Sequence, residues 1–149
     1  MISALNTEDP LDLERQVCFA LSIASRNVVA LYRPLLDPMN LTHPQYLVML
    51  ALWGRAPLSV KELSRMLALE PATLSPLLKR LEAVGYVTRS RDAADERMLA
   101  VALTPEGAAL RERALEIPPA IVAKLGMSLD ELRDLRGVLT RVIAAAERK

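Results

Sequence analysis

The chain has 149 residues, 52% apolar and 25% charged, with a formal net charge of +1. That composition fits a soluble domain with a fair-sized core, or a small module with an oligomerisation arm; it excludes a disordered chain and by itself gives no sign of nucleic-acid binding. Aromatics at 3% leave Leu, Val and Ala to fill the core, which favours helices over a β-sandwich. A single cysteine rules out an internal disulfide, no apolar run approaches the roughly 18 to 20 residues of a membrane span, and the acidic start is unlike a signal peptide, so a cytoplasmic location is expected.

The first predicted helix runs from about Leu11 to Tyr32. Val17, Leu21, Ala24, Val28, Leu31 and Leu35 recur at three- and four-residue steps, and Pro34 limits continuation. A turn through Asp37-Pro38-Met39-Asn40 follows. Thr42 with Gln45 forms a capping box for a second helix, with Leu41 and Tyr46 placed to staple it; the helix ends near Trp53 and Gly54.

Ser59-Val-Lys-Glu62 is another capping box and opens a short helix to about Leu67. After Ala68 to Pro71 comes a further helix with Leu74, Leu77, Leu78 and Leu81 on one face, Pro76 near its first turn and Gly85 at its close. The period then changes. Tyr86 to Arg91 and Met98 to Leu103 read as two strands around a polar loop from Asp92 to Arg97. Thr104-Pro105-Glu106 starts the next helix, Pro118-Pro119 breaks or kinks it, and Ser128 with Glu131 caps a C-terminal helix through Leu132, Leu135, Leu139 and Val142.

Two short helices joined by a tight turn and followed by a hairpin make a winged helix-turn-helix, in a fold that is mainly α with a small β-hairpin wing. From Arg55 to Arg91 there are seven basic residues against three acidic ones, a modest electrostatic footprint. Away from its apolar face the second helix offers Thr73, Ser75, Lys79 and Arg80, hydroxyls for base edges or phosphates and cations for the backbone. Arg89 and Arg91 add charge on the wing, and Arg97 near its tip suits the minor groove with Asp95 orienting its guanidinium. The competing readings are an ordinary solvated amphipathic helix and a surface ion pair of little worth.

Leu58-Ser-Val-Lys-Glu-Leu63, Leu74-Ser-Pro-Leu-Leu-Lys-Arg-Leu-Glu82 and Asp95-Glu-Arg97 with the trailing Leu103-Thr104 closely resemble the MarR family of bacterial transcription regulators, over nearly the whole chain. The resemblance implies a homodimer with interlocked terminal helices, each subunit offering one wing and one recognition helix to pseudopalindromic double-stranded DNA. On that basis residues 1–54 and 104–149 form the dimerisation region and residues 55–103 the DNA-binding region of one compact unit.

A lone cysteine on an apolar helical face is most often a small buried hydrophobe. The segments around Cys18, Leu31-Tyr-Arg-Pro-Leu-Leu36 and Leu41 to Leu50 nevertheless resemble the OhrR branch, whose members sense organic hydroperoxides through a first-helix cysteine. The resemblance makes Cys18 the reactive thiol, with Tyr32, His43 and Tyr46 around it. His43 stands where that branch commonly has a second tyrosine; an imidazole can donate to a thiolate, and a protonated one would lower the thiol pKa further, but His43 can equally be an ordinary first-turn residue. Cys18 and Tyr32 lie 14 residues apart on one face, about 21 Å along a helix. They cannot touch within one straight helix, whereas two helices crossing near Ser25 would pair each cysteine with the other chain's tyrosine.

With no second cysteine, a low-molecular-weight thiol is expected to cap the oxidised Cys18. No cofactor is implied, and one Cys with one His supplies too few ligands for a metal site. The alternatives are a repressor released by a small phenolic or aromatic ligand with Cys18 structural, a thiol peroxidase, and an interaction module without DNA contacts. A regulator rather than an enzyme is the expectation.

Overall fold

The computed structural model describes residues 10–91 and 99–147. The chain divides into two compact units at Leu115. The first contains helix α1 (Pro10–Leu36), a 3-10 turn (Asp37–Met39), α2 (His43–Gly54), strand β1 (Leu58–Ser59), α3 (Val60–Leu67), α4 (Pro71–Val84), β2 (Val87–Arg91), β3 (Leu99–Leu103) and α5 (Pro105–Ala114); the second contains α6 (Ile117–Leu125) and α7 (Leu129–Glu147). The predicted mainly helical fold with a small wing is what forms.

Local signals set most helix starts. The Thr42 hydroxyl accepts from the Gln45 amide while the Gln45 side chain accepts from the Thr42 amide, and Ser59 with Glu62 closes the same reciprocal box. Thr104 caps α5 through the Gly107 amide. Gly85 ends α4 at φ +99°, a left-handed turn that only a residue without Cβ adopts freely.

Three details differ from expectation. Helix α1 continues through Pro34 to Leu36, and α4 begins at Pro71, which places Pro76 inside it rather than in its first turn. Each proline removes one ladder bond, but the carbonyls so freed belong to Ala30 and Ala72, exposed residues that water reaches. The wing is also part of a three-stranded antiparallel sheet in the order β1-β3-β2, with Leu58 opposite Val101 and Ser59 opposite Ala100.

The core of the first unit lies among α2, α3, α4 and the sheet. Leu63, Leu74, Leu78, Leu81 and Val101 are all fully buried, each contributing about 1.5–3 kcal/mol by removal from water. These contacts fix α3, α4 and the wing strands as one body. Helix α1 is different: from residue 11 to residue 30 no described side chain is buried, and Val17, Phe19 and Leu21 stand open.

In the second unit, Pro118 and Pro119 fall in the first turn of α6, so the expected break occurs as a new helix start. Gly126 ends α6 in the left-handed region, and Ser128 with Glu131 caps α7 reciprocally. No residue of α7 is buried, and Leu135, Val138, Val142 and Ile143 are exposed apolar groups along it. Among the described residues no helix is long and apolar enough to cross a membrane.

Candidate nucleic-acid interface and thiol site

Leu74, Leu78 and Leu81 turn one side of α4 inward, and at about 100° per residue Thr73, Ser75, Lys79 and Arg80 flank the opposite side. All four are exposed. Arg80 also borders a polar hollow of about 420 Å³ with Asp37, Asn40 and Gln45. On β2, Arg89 is half-buried and held by Glu82 of α4 at 3.1 Å, while Arg91 is exposed. Arg89 therefore braces the wing against the helix as well as adding charge. Asp95 and Arg97 lie outside the described residues.

Helix α3 is held to the chain before it by Glu62. Its carboxylate accepts from the Ser59 amide and from Arg55 at 2.7 Å. The Ser59 backbone and hydroxyl contacts, then the Arg55 charge, hold the Glu62 carboxyl below the usual carboxylate range.

The thiol site is only partly assembled within one chain. Cys18 is exposed on α1. Tyr32, on the same helix, gathers with His43 and Tyr46 from α2: ring centroids lie 4.7 Å apart for Tyr32 and His43, 5.7 Å for Tyr32 and Tyr46, and 6.4 Å for His43 and Tyr46. The structure thus brings together three of the four residues assigned to sensing and leaves Cys18 about 21 Å away along the helix axis.

Burial raises the pKa of Tyr32, and burial followed by the neighbouring Tyr32 raises that of Tyr46, so both phenols stay protonated donors. Burial lowers that of His43, which favours the neutral ring. Burial therefore disfavours the protonated imidazole considered from the sequence, and a neutral His43 still offers an N–H donor. Beside it, Val29, Arg33, Leu36, Leu41, Thr42 and Pro44 help line a pocket of about 220 Å³.

Sequence reasoning missed two residues that border this cluster. Trp53 packs against Tyr46 at 6.5 Å and donates its indole N–H to the Gly107 carbonyl at 2.9 Å. The signals were present: a solitary Trp needs a partner for its N–H when half-buried, and Gly in a first helical turn needs a reason.

A recognition helix exposing hydroxyls and cations, packed on α3 and followed by an antiparallel wing, defines a winged helix-turn-helix DNA-binding regulator. Residues 41–99 match the MarR family. The organic hydroperoxide resistance transcriptional regulator of Bacillus subtilis (strain 168) is 40% identical over 144 residues, covering 97% of this chain and 98% of that protein. The chain belongs to the MarR family. Among solved structures, reduced AbfR bound to DNA, from a protein of Staphylococcus epidermidis, superposes with a TM-score of 0.81 at 31% identity, covering 96% of this chain and 100% of that one. Overoxidised AbfR bound to DNA gives 0.78 at 31% identity, covering 95% and 99%.

Proposed function

We propose that the chain is a homodimeric repressor of pseudopalindromic operator DNA, released when an organic hydroperoxide oxidises Cys18. The observation that carries this reading is the split thiol site. Cys18 stands exposed on α1, and 14 residues further along the same helix Tyr32 gathers with His43 and Tyr46 of α2 in a cluster of two protonated phenols and an imidazole. Two α1 helices crossing near Ser25 would set each Cys18 against the partner's Tyr32. The apolar residues left open on α1 and α7 supply surface for such an assembly. The dimerisation region is then residues 1–54 and 104–149, and the DNA-binding region residues 55–103.

In the proposed chemistry the Cys18 thiolate attacks the distal oxygen of the hydroperoxide. An S–O bond forms, the O–O bond breaks, sulfur is oxidised to a sulfenic acid, and the hydroperoxide leaves as an alkoxide that takes a proton to become the alcohol. A low-molecular-weight thiol then displaces water from the sulfenic acid and leaves a mixed disulfide. Either group enlarges a side chain packed against the Tyr32 cluster, and the DNA-binding units of the two protomers lose their common register. Thr73, Ser75, Lys79 and Arg80 from α4, with Arg89, Arg91, Asp95 and Arg97 of the wing, are the proposed DNA contacts. The similarity to a hydroperoxide-resistance regulator and to AbfR structures in reduced and overoxidised forms supports a thiol switch on this scaffold.

Replacing Cys18 with Ser tests the proposal directly. The variant binds operator DNA as the unmodified protein does and stays bound on addition of cumene hydroperoxide; release equal to that of the unmodified protein refutes the thiol mechanism. The pocket beside His43 favours a second reading, in which a small aromatic ligand causes release. That reading requires release of the Cys18→Ser variant by the ligand, without any oxidant.

A further inference from the structure

Trp53 stands at the point where the aromatic cluster meets the DNA-binding body. On one side its ring meets Tyr46 edge to face, and Tyr46 meets Tyr32. On the other, its indole N–H donates to the Gly107 carbonyl in the first turn of α5. Gly107 is pressed onto the joint between α4 and β2: a Cβ there would lie 2.0 Å from the Tyr86 carbonyl oxygen. Thr104, two residues before Glu106, donates its amide to that same oxygen at 3.1 Å and its hydroxyl to the Gly85 carbonyl. Tyr86 in turn donates its phenol to the Met39 carbonyl at 2.7 Å, in the turn that follows α1.

Gly85 and Tyr86 are the two residues that connect the recognition helix to the wing. They are therefore clamped from two directions: by α5, which Trp53 holds, and by the turn after α1. We infer that Trp53 is a positioning residue that couples the state of the Tyr32 cluster to the aim of α4 and the wing, by the chain Tyr32, Tyr46, Trp53, Gly107 and Tyr86. This deepens the proposed switch and rests on it for its biological meaning. The physical coupling is a separate matter. Close packing makes it efficient: rings in contact resist shifting singly, and a half-buried hydrogen bond between a side chain and a helix's first turn moves with both.

A double-mutant cycle on DNA affinity in the reduced protein measures the coupling without any oxidant. Tyr32→Ala disturbs the cluster, and Trp53→Phe keeps an aromatic ring but removes the N–H that reaches Gly107. Tyr32→Ala is expected to weaken operator binding by roughly fivefold or more, the lower end of ordinary intersite couplings. In the Trp53→Phe background the same change has little further effect. Additive losses overturn the inference, and so does a Tyr32→Ala variant that binds as the unmodified protein does. Should Tyr32→Ala fail to fold, Tyr32→Leu replaces it, filling the space without a phenol or ring.

Thermal melting of all four proteins separates coupling from mere stability. A tryptophan that only supports the fold lowers the melting temperature while the two affinity changes remain additive. Trp53 is the sole tryptophan of the chain, so its emission reports directly on the linkage; the inference expects that emission to shift in Tyr32→Ala. Cumene hydroperoxide is applied to the unmodified protein in parallel. Failure of release there, with a coupled cycle, sinks the redox reading alone. Normal release with an additive cycle sinks the Trp53 linkage alone.

Discussion

Lys79 offers a quantitative test of the α4 interface. It is exposed on α4, on the side away from Leu74, Leu78 and Leu81, and a cation there serves to neutralise phosphate rather than read a base. Lys79→Ala removes one such contact per half-site and therefore two per proposed dimer. With about 0.9 counterions released per phosphate neutralised on duplex DNA, the slope of log affinity against log salt falls by about 1.8. Between 50 and 200 mM salt, that difference alone shrinks the loss of affinity by roughly twelvefold. The assay is fluorescence anisotropy of a labelled palindromic fragment, titrated at four or five salt concentrations with the unmodified and variant proteins. A scrambled fragment is run alongside, and both should show the same reduction in slope, since phosphate contacts carry no sequence information. An unchanged slope on both fragments refutes the placement of Lys79 against the backbone, and loss confined to the palindrome would make it a base-reading residue instead.

Other expectations follow from the same geometry. Ser59→Ala removes the cap shared with Glu62 and should cost about 0.5–2 kcal/mol, read as a lower denaturant midpoint with unchanged slope. Because the folded state lowers the Glu62 pKa through its Ser59 contacts, this carboxylate contributes stability above the usual carboxylate range, and the contribution disappears as pH falls through its lowered value; Glu62→Gln should flatten that part of the acid melting curve. Burial lowers the His43 pKa, so below about 6.5 the unfolded chain binds a proton that the folded chain resists, and stability falls as pH drops from there; His43→Gln should remove that dependence in melts taken from pH 7 to pH 5. Gly107→Ala drives a methyl into the Tyr86 carbonyl and should destabilise by about 1–3 kcal/mol or more, whereas Gly137→Ala, inside α7 where a Cβ meets nothing within 4 Å, should stabilise by about 0.5–1 kcal/mol.

What the sequence disclosed depended on how local each determinant was. The boxes at Thr42, Ser59 and Ser128 were legible because a cap needs only its own hydroxyl and the residue three places on. Strand β1 was not, since two residues have no period and Leu58 becomes a strand only through pairing with Val101, 43 positions away. The interior position of Pro76 was misjudged for a related reason. Pro71 can open a helix by itself, and the cost of the second proline depends on whether the freed carbonyl at Ala72 faces water, which pattern does not encode. At the thiol site, the shared face of Cys18 and Tyr32 followed from helical periodicity alone. The meeting of Tyr32 with His43 and Tyr46, and of Trp53 with Gly107, rests on how α1, α2 and α5 pack, and no spacing along the chain announces it.

The bareness of α1 has a temporal consequence. A helix of 27 residues in whose first two-thirds no described side chain is buried within its own chain has little to hold that stretch helical except propensity, which is marginal for isolated helices in water. Under the proposed assembly, that stretch gains both its stability and its chemistry at the same moment, when a second copy arrives. A freshly synthesised chain is then blind: it carries the cysteine and the phenols but has not yet brought them together. Sensitivity to oxidant is set by pairing, so the fraction of chains able to respond rises with protein concentration and falls on dilution, and the age and abundance of the repressor become part of the threshold at which it lets go.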